Sequence, residues 1–339
     1  MIKLIENEEK SFHTLAELKD HLASRTRKAY SVQLKDLALD VSPDDKEAIL
    51  HSDRFEGRLA ASGYKGLLNL CEIPDRFAGK CPPDLLCTNV EAMAKINNKP
   101  VRVELVDGII NTIMPSKNTP ISNEVLVDWL ADRQIKDATI NGSYLRITSV
   151  SKEPKELLPN DEFAFGWELT NDEDGWRQLQ AQQYVVRLLC SNGQLGFDKT
   201  ASFSRSPGSH ENVATSLQKL GALLNNMPEV ERLAEAVTWA NEQHIGDQRD
   251  RVVKYLTQRL DGRATRQILD DIEPDSTWYT LLNTLTSSAQ PYHLAMRRRY
   301  EREGGRMLNW FRSQGRGRAP WRGNSCEQCE YLLANESEN

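Results

Sequence analysis

Residues 161–203 read DEFAFGWELTNDEDGWRQLQAQQYVVRLLCSNGQLGFDKTASF, and this stretch decides the fold. Two apolar, aromatic-rich runs, 163–169 and 184–190, flank an acidic, turn-rich loop of Asn171, Asp172, Glu173, Asp174 and Gly175. A second turn, Ser191-Asn192-Gly193, follows at once. Asn-Gly after a β-branched apolar run is a strong turn signal, because both residues tolerate positive φ. The stretch is expected to supply central strands of a sheet. Asn192 and Gly193 then fall at a strand end, where side chains reach a ligand.

Upstream, VRVELVDGIINTIM (101–114) carries Asp107-Gly108, the signature of a type I′ hairpin. A two-residue loop pairs Val106 with Ile109 and Leu105 with Ile110. It predicts one apolar face of Val101, Val103, Leu105, Ile110 and Met114. Residues 121–133 repeat Val125, Leu126, Trp129 and Leu130 at helical spacing, and an alternating run at 144–150 follows Asn141-Gly142. Hairpin, helix and further strands make an α+β order rather than a βαβ alternation.

Further out the pattern reads as helix. Phe12, Leu15, Leu18 and Leu22 share a helical face, with Ser11 offered as N-cap. Ser-Pro-Asp-Asp starts a helix over 43–51, and 55–70 runs into Ile73-Pro74, which ends it. Helices are also expected over 211–226, 229–244, 249–260 and 277–289. From Gly304 onward, GGRMLNWFRSQGRGRAPWRG is too rich in Gly and Arg to pack a core and is expected to be mobile when unbound. The expected fold is thus α+β: a central twisted antiparallel sheet with helical N-terminal and C-terminal regions. Its parts are a mostly helical region 1–98, a sheet core 99–206, a helical region 207–296 and a basic tail 297–339 ending in a Cys pair.

At 339 residues the chain can bury a sizeable core. It has no apolar run of about 18 residues, so no membrane span is expected. Charge near the N-terminus, MIKLIENEEKSF, occupies the place of a signal peptide's apolar region, and the expected location is the cytoplasm of the cell that makes it. Six cysteines are few for this length and are expected to be reduced. The net charge of −6 is uneven: residues 290–322 hold nine Arg against two Glu, and the body 1–289 carries −9. A basic strip on an acidic body speaks to partners more than the total does.

Several short motifs stand together here. They are Leu70-Cys71-Glu72-Ile73-Pro74, Phe165-Gly166 with Asn171 and Gly175, Arg187-Leu188-Leu189-Cys190-Ser191-Asn192-Gly193, and Leu282-Asn283-Thr284-Leu285-Thr286. With them, residues 55–290 resemble the phage- and plasmid-borne family catalogued as domain of unknown function 932. The family carries no settled activity; its setting on mobile elements implies nucleic-acid handling without defining a site.

The strip itself holds Arg297, Arg298, Arg299, Arg302, Arg306, Arg312, Arg316, Arg318 and Arg322, interleaved with Tyr300, Trp310, Phe311 and Trp321. Arginine pairs with phosphates, and aromatic rings offer sequence-tolerant stacking platforms for single strands. The expected nucleic-acid contacts are those arginines up to Arg318, with Arg187 and Asn192 at the sheet end, while Trp310 and Trp321 stack on bases. The plainer reading is a solvated helix end whose Trp310 and Phe311 dock on the protein's own core. Cys326-Glu327-Gln328-Cys329 has zinc-ligand spacing but supplies only two of four ligands. Cys190 with His210 could serve as nucleophile and base, or Cys190 could simply end a core strand. Carboxylates at Asp161, Glu162, Glu168, Asp172, Glu173 and Asp174 could hold Mg²⁺ as nuclease sites do, yet most fall in a turn, where acids favour solvent.

Phosphate-loop, dinucleotide, nucleophile-elbow and His-Glu-x-x-His motifs are all absent. The reading that follows is a binder with no cofactor rather than an enzyme. It is a phage- or plasmid-borne nucleic-acid-binding protein, with single-stranded DNA as partner, self-association, and an annealing or recombination accessory role as its finest form. Two other classes compete: an inhibitor or adaptor of a host protein, and a metal-dependent nuclease.

Overall fold

The computed structural model describes residues 2–131, 133–151, 153–158, 161–187, 194–225, 230–260, 265, 269–270, 272–288, 294–316 and 319–321. Within them, side chains are described except at 161, 186–187, 194–201, 230–231, 294–295 and 297–298.

In chain order the elements are β1 (Glu9–Phe12), α1 (Leu15–Ser24), β2 (Arg27–Gln33), β3 (Ala38–Val41), β4 (Ala48–Ser52), β5 (Phe55–Leu59), α2 (Ala61–Leu70), α3 (Asp75–Ala78), α4 (Pro83–Ile96), β6 (Pro100–Val106), β7 (Ile109–Pro115) and α5 (Asn123–Trp129). There follow β8 (Asp137–Asn141), β9 (Tyr144–Val150), β10 (Lys155–Leu158), β11 (Asp161–Asp172), β12 (Leu179–Arg187) and β13 (Gln194–Arg205). The chain ends in α6 (Val213–Asn225), α7 (Val230–Glu242), α8 (Arg249–Arg259), α9 (Trp278–Ser287) and α10 (Leu294–Arg312). The fold is α+β. It divides into two compact units. The first comprises Met1–Ser149, Glu168–Ala181 and Phe203–Ala222, and the second Val150–Trp167, Gln182–Ser202 and Leu223–Asn339.

In the first unit a six-stranded sheet runs β2-β6-β7-β5-β4-β3, antiparallel except where β5 meets β7. The Asp107-Gly108 hairpin is as read from the sequence. Both residues have positive φ, 52° and 78°, and Val106 and Leu105 face Ile109 and Ile110. The register then slips by one at a bulge, so that Val103 faces Ile113 and Arg102 faces Met114. The expected apolar face is corrected accordingly. Ile113, not Met114, joins Val101, Val103, Leu105 and Ile110 in the core, and Met114 turns to the other side, against Gly175. Helix α2 lies on β7 at backbone distance: a Cβ on Gly63 or Gly66 would stand 2.4 Å from the carbonyl oxygen of Ile110 or Ile113.

The N-terminal region departs from its expected mostly helical character, since five strands precede α2. Residues 43–51 form a turn and the start of β4 instead of a helix. β5 buries Phe55, Gly57 and Leu59 in strict alternation, but over only five residues, too short a window for period 2 to stand out from the helical pattern beside it. Ser11 lies in β1, and the cap of α1 is Thr14, which forms a capping box with Glu17.

The single sheet expected over 99–206 is two sheets. β6 and β7 belong to the one just described, while β8 to β13 join β1 in the order β1-β8-β9-β11-β12-β13, with β10 also on β11.

In the second unit the helices over 230–287 follow their sequence pattern closely. They pack with Phe163, Phe165 and Val185 around Leu233, Val237, Val252, Leu256, Trp278, Leu282 and Leu285. The expectation of a mobile stretch from Gly304 is overturned across its described part. Residues 304–312 continue α10, and Gly304, Gly305, Met307, Leu308, Trp310 and Phe311 are buried. Helical spacing gathers the few large apolar residues of this polar segment on one side, where they pack on Trp239 and Trp278.

Candidate nucleic-acid interface

α10 sorts its charges by face. Arg299, Arg302 and Arg306 recur at i, i+3 and i+7 and so share one stripe; Arg299 and Arg302 are exposed and Arg306 partly so. The helix's two acids, Glu301 and Glu303, are each 5% exposed. Glu303 accepts a hydrogen bond from the Tyr255 hydroxyl at 2.7 Å and another from Arg306, and Arg259 lies 3.6 Å away. Burial, the largest single influence, would lower the pKa of Arg306, but the hydrogen bond and charge of Glu303 together with Tyr255 outweigh it and the net shift is upward, so this arginine stays charged. Tyr255 is pushed up by burial and then by Glu303, so its hydroxyl stays protonated and donating. The negative charges of the helix thus face protein, while Arg299 and Arg302 face water.

Helix α8 extends the same surface. Among its cations Arg251, Lys254 and Arg259 are exposed, and Arg259 sits over the Tyr255 ring at 5.0 Å. Its one acid, Asp250, pairs with Arg249 at 2.9 Å. The sequence reading passed over these residues. The signal was the RDRVVKYLTQR run itself, four cations against one acid with only Val252 and Leu256 buried.

The residues expected to touch nucleic acid therefore separate. Arg299, Arg302 and Arg306 come together, Arg316 is exposed beyond the helix, and Arg312 is partly buried. Trp310 and Trp321, expected to stack on bases, are corrected. Each is 8% exposed, Trp321 stacks on Trp278 at 4.8 Å, and Trp310 meets both edge-on at 4.7 and 5.0 Å. Their rings form the core of this unit, so the plainer reading of Trp310 and Phe311 holds. The Trp321 indole N–H donates to Gln248 at 3.0 Å. Asn192, Arg318, Cys190, Cys326 and Cys329 lie outside the described residues, as do the side chains of Arg187, Arg297 and Arg298. Among the described cysteines Cys71, Cys81 and Cys87 are free thiols, and burial pushes Cys71 up to about 11, which leaves it an unreactive core residue.

The acidic turn is the other surprise. Turn acids favour solvent, yet Asn171, Asp172, Glu173 and Asp174 are 2–7% exposed. Each is held by hydrogen bonds, Asn171 by donating to the Ile121 carbonyl and to Asn123, both at 2.8 Å. Glu173 takes both Arg27 nitrogens at 3.1 and 2.9 Å and the Asn123 amide at 2.5 Å. Asp172 takes the Ser143 hydroxyl at 2.7 Å and Arg177 at 3.0 Å, and Asp174 takes the amides of Trp176 and Arg177. Glu168, from the same candidate set, pairs with Arg146 at 2.6 Å. These groups form a clasp that ties the turn to β2, α5 and the β8–β9 turn. Burial, and then the charge of Asp174, raise the pKa of Asp172 to about 6. A cavity of about 270 Å³ beside the Arg27–Glu173 pair is lined by both signs of charge, including Lys28, Arg102, Glu104 and Glu124. Among the described residues no cluster of His, Cys, Asp and Glu forms a metal-binding group, and no helix is long and apolar enough to cross a membrane.

The class of protein these features define is an α+β protein with a basic two-helix surface. No protein-family model, curated protein or solved structure matches the chain.

Proposed function

We propose that this chain binds nucleic acid through the sugar-phosphate backbone, with the outward stripe of α10 and the adjoining cations of α8 as its contact surface. The observation that carries the reading is the sorting of charge on α10, with Glu301 and Glu303 turned inward and Arg299 and Arg302 outward. Arginine suits this role because its planar fork matches phosphate geometry. With Trp310 and Trp321 buried, the mode is phosphate contact rather than base stacking, which makes binding tolerant of sequence and steeply dependent on salt. Single-stranded DNA, the partner expected from the interleaved arginines and aromatics of the sequence, is the first ligand to try. An annealing or recombination accessory role, acting as an oligomer, is the finer form of the same reading.

The test is fluorescence anisotropy of a labelled single-stranded oligonucleotide across a salt series, comparing the full chain with the double variant Arg299→Glu/Arg302→Glu. Both side chains are exposed, so the fold is retained. The variant is expected to bind at least about tenfold more weakly, with the log–log salt slope flattened by about 1.4, two contacts at roughly 0.7 each. An unchanged affinity and slope would overturn the assignment of this face.

A further inference from the structure

We infer that Arg259 and Arg306 form a seat for one backbone phosphate, with Glu303 as the residue that positions them; this deepens the proposed nucleic-acid reading and rests on it.

A carboxylate that is nine-tenths buried must be paired, and one cation with one hydroxyl donor satisfies it. Glu303 has both in Arg306 and Tyr255. Arg259 is a second guanidinium beside a group already satisfied. At 3.6 Å it is held by charge rather than by a hydrogen bond, so Glu303 does not engage its N–H donors. The Tyr255 ring lies under the guanidinium, 5.0 Å from its central carbon, and holds it near Glu303. The side chains of Arg259 and Arg306 remain 48% and 26% exposed, while that of Glu303 is 6% exposed. Two guanidiniums around one buried carboxylate leave one positive charge over, on the solvent side. Two like charges held this close repel, and an anion bridging both relieves the repulsion. The ligand such a fork fits is a phosphodiester oxygen pair, taken by parallel N–H donors. Arg302, exposed one residue before Glu303, continues the path along α10.

The seat makes a prediction whose sign differs from that of a merely basic surface. If only net charge mattered, Glu303→Gln would tighten binding by removing a negative charge. If Glu303 aligns the two arginines, the same variant binds several-fold more weakly. Arg259→Lys separates the cases again, since it keeps the charge and loses the fork. The experiment measures oligothymidine binding to the full chain and to Glu303→Gln, Arg259→Lys, Arg259→Ala and Arg306→Ala across a salt series, with thermal melts by circular dichroism to confirm folding. The expected result is weaker binding for all four, with the salt slope flattened by about 0.7 in each alanine variant. Tighter binding by Glu303→Gln, or full affinity in Arg259→Lys, overturns the seat while leaving the basic surface standing. Absence of any binding by the full chain at low salt overturns both.

Discussion

Trp310 shows how one residue can carry two opposite readings. Beside arginines in a sequence, an indole suggests a base-stacking platform. In the fold its ring lies within 5.4 Å of Trp239, Trp278 and Trp321, centroid to centroid, and is a core residue. Trp310→Ala should therefore lower the stability of its unit by about 3–5 kcal/mol, read by chemical denaturation. Denaturation with no loss would contradict the packing. The sequence cannot separate the two roles, because the partners lie 32 to 71 residues upstream or 11 downstream and become neighbours only on folding. The acidic turn misled for the same reason: nothing local announces that Arg27, 146 residues away, meets Glu173. Asp172 adds a pH signature. Its folded pKa, about 6, lies above the unfolded value of about 3.9. A raised pKa means that the folded state holds the proton more tightly, so the stabilisation is present below the unfolded value and lost as pH rises through 6. Between pH 7 and pH 5 the wild type should gain on the order of 1 kcal/mol relative to Asp172→Asn, which lacks this titration. Parallel stability curves for the two proteins would refute the shift.

At the scale of elements, what was legible was what local chemistry dictates. The Asp107-Gly108 turn fixed its own register for two residue pairs, because only residues tolerant of positive φ make that turn. The helices between residues 230 and 287 were legible because their apolar stripes are long, whereas the helix over Leu294–Arg312 was not. The bulge beyond Ile110 was not, since an extra residue leaves no mark on composition, and it moved Met114 off the expected face. β3 to β5 were missed because four or five residues hold barely two alternations. The contact of α2 with β7 was also invisible, though it depends on two specific residues. Gly63→Ala should improve helix propensity by up to about 1 kcal/mol. It also forces a Cβ to within 2.4 Å of a backbone oxygen that cannot yield without moving β7. Overpacking costs about 1–3 kcal/mol, so net destabilisation is expected in urea titrations. A stabilised variant would show that the helix stands off the strand.

Across the whole molecule, the α+β class and the uneven charge were both legible, and the division into two units was not. Residues of β11 to β13 fall in both units, so no linker, glycine run or change of composition marks the boundary. The charge asymmetry predicted a partner but placed its contacts in a loose tail, whereas the described arginines ride on a helix whose other face completes a core. Removing everything after Met296 would consequently destroy packing along with charge, and point variants are the sound comparison. The central claim is that nucleic acid lies along α10 and α8. The most direct measurement is ultraviolet cross-linking of the full chain to single-stranded DNA, followed by peptide mapping by mass spectrometry. The account predicts adducts concentrated within 251–259 and 299–316. Adducts confined to the first unit would contradict it.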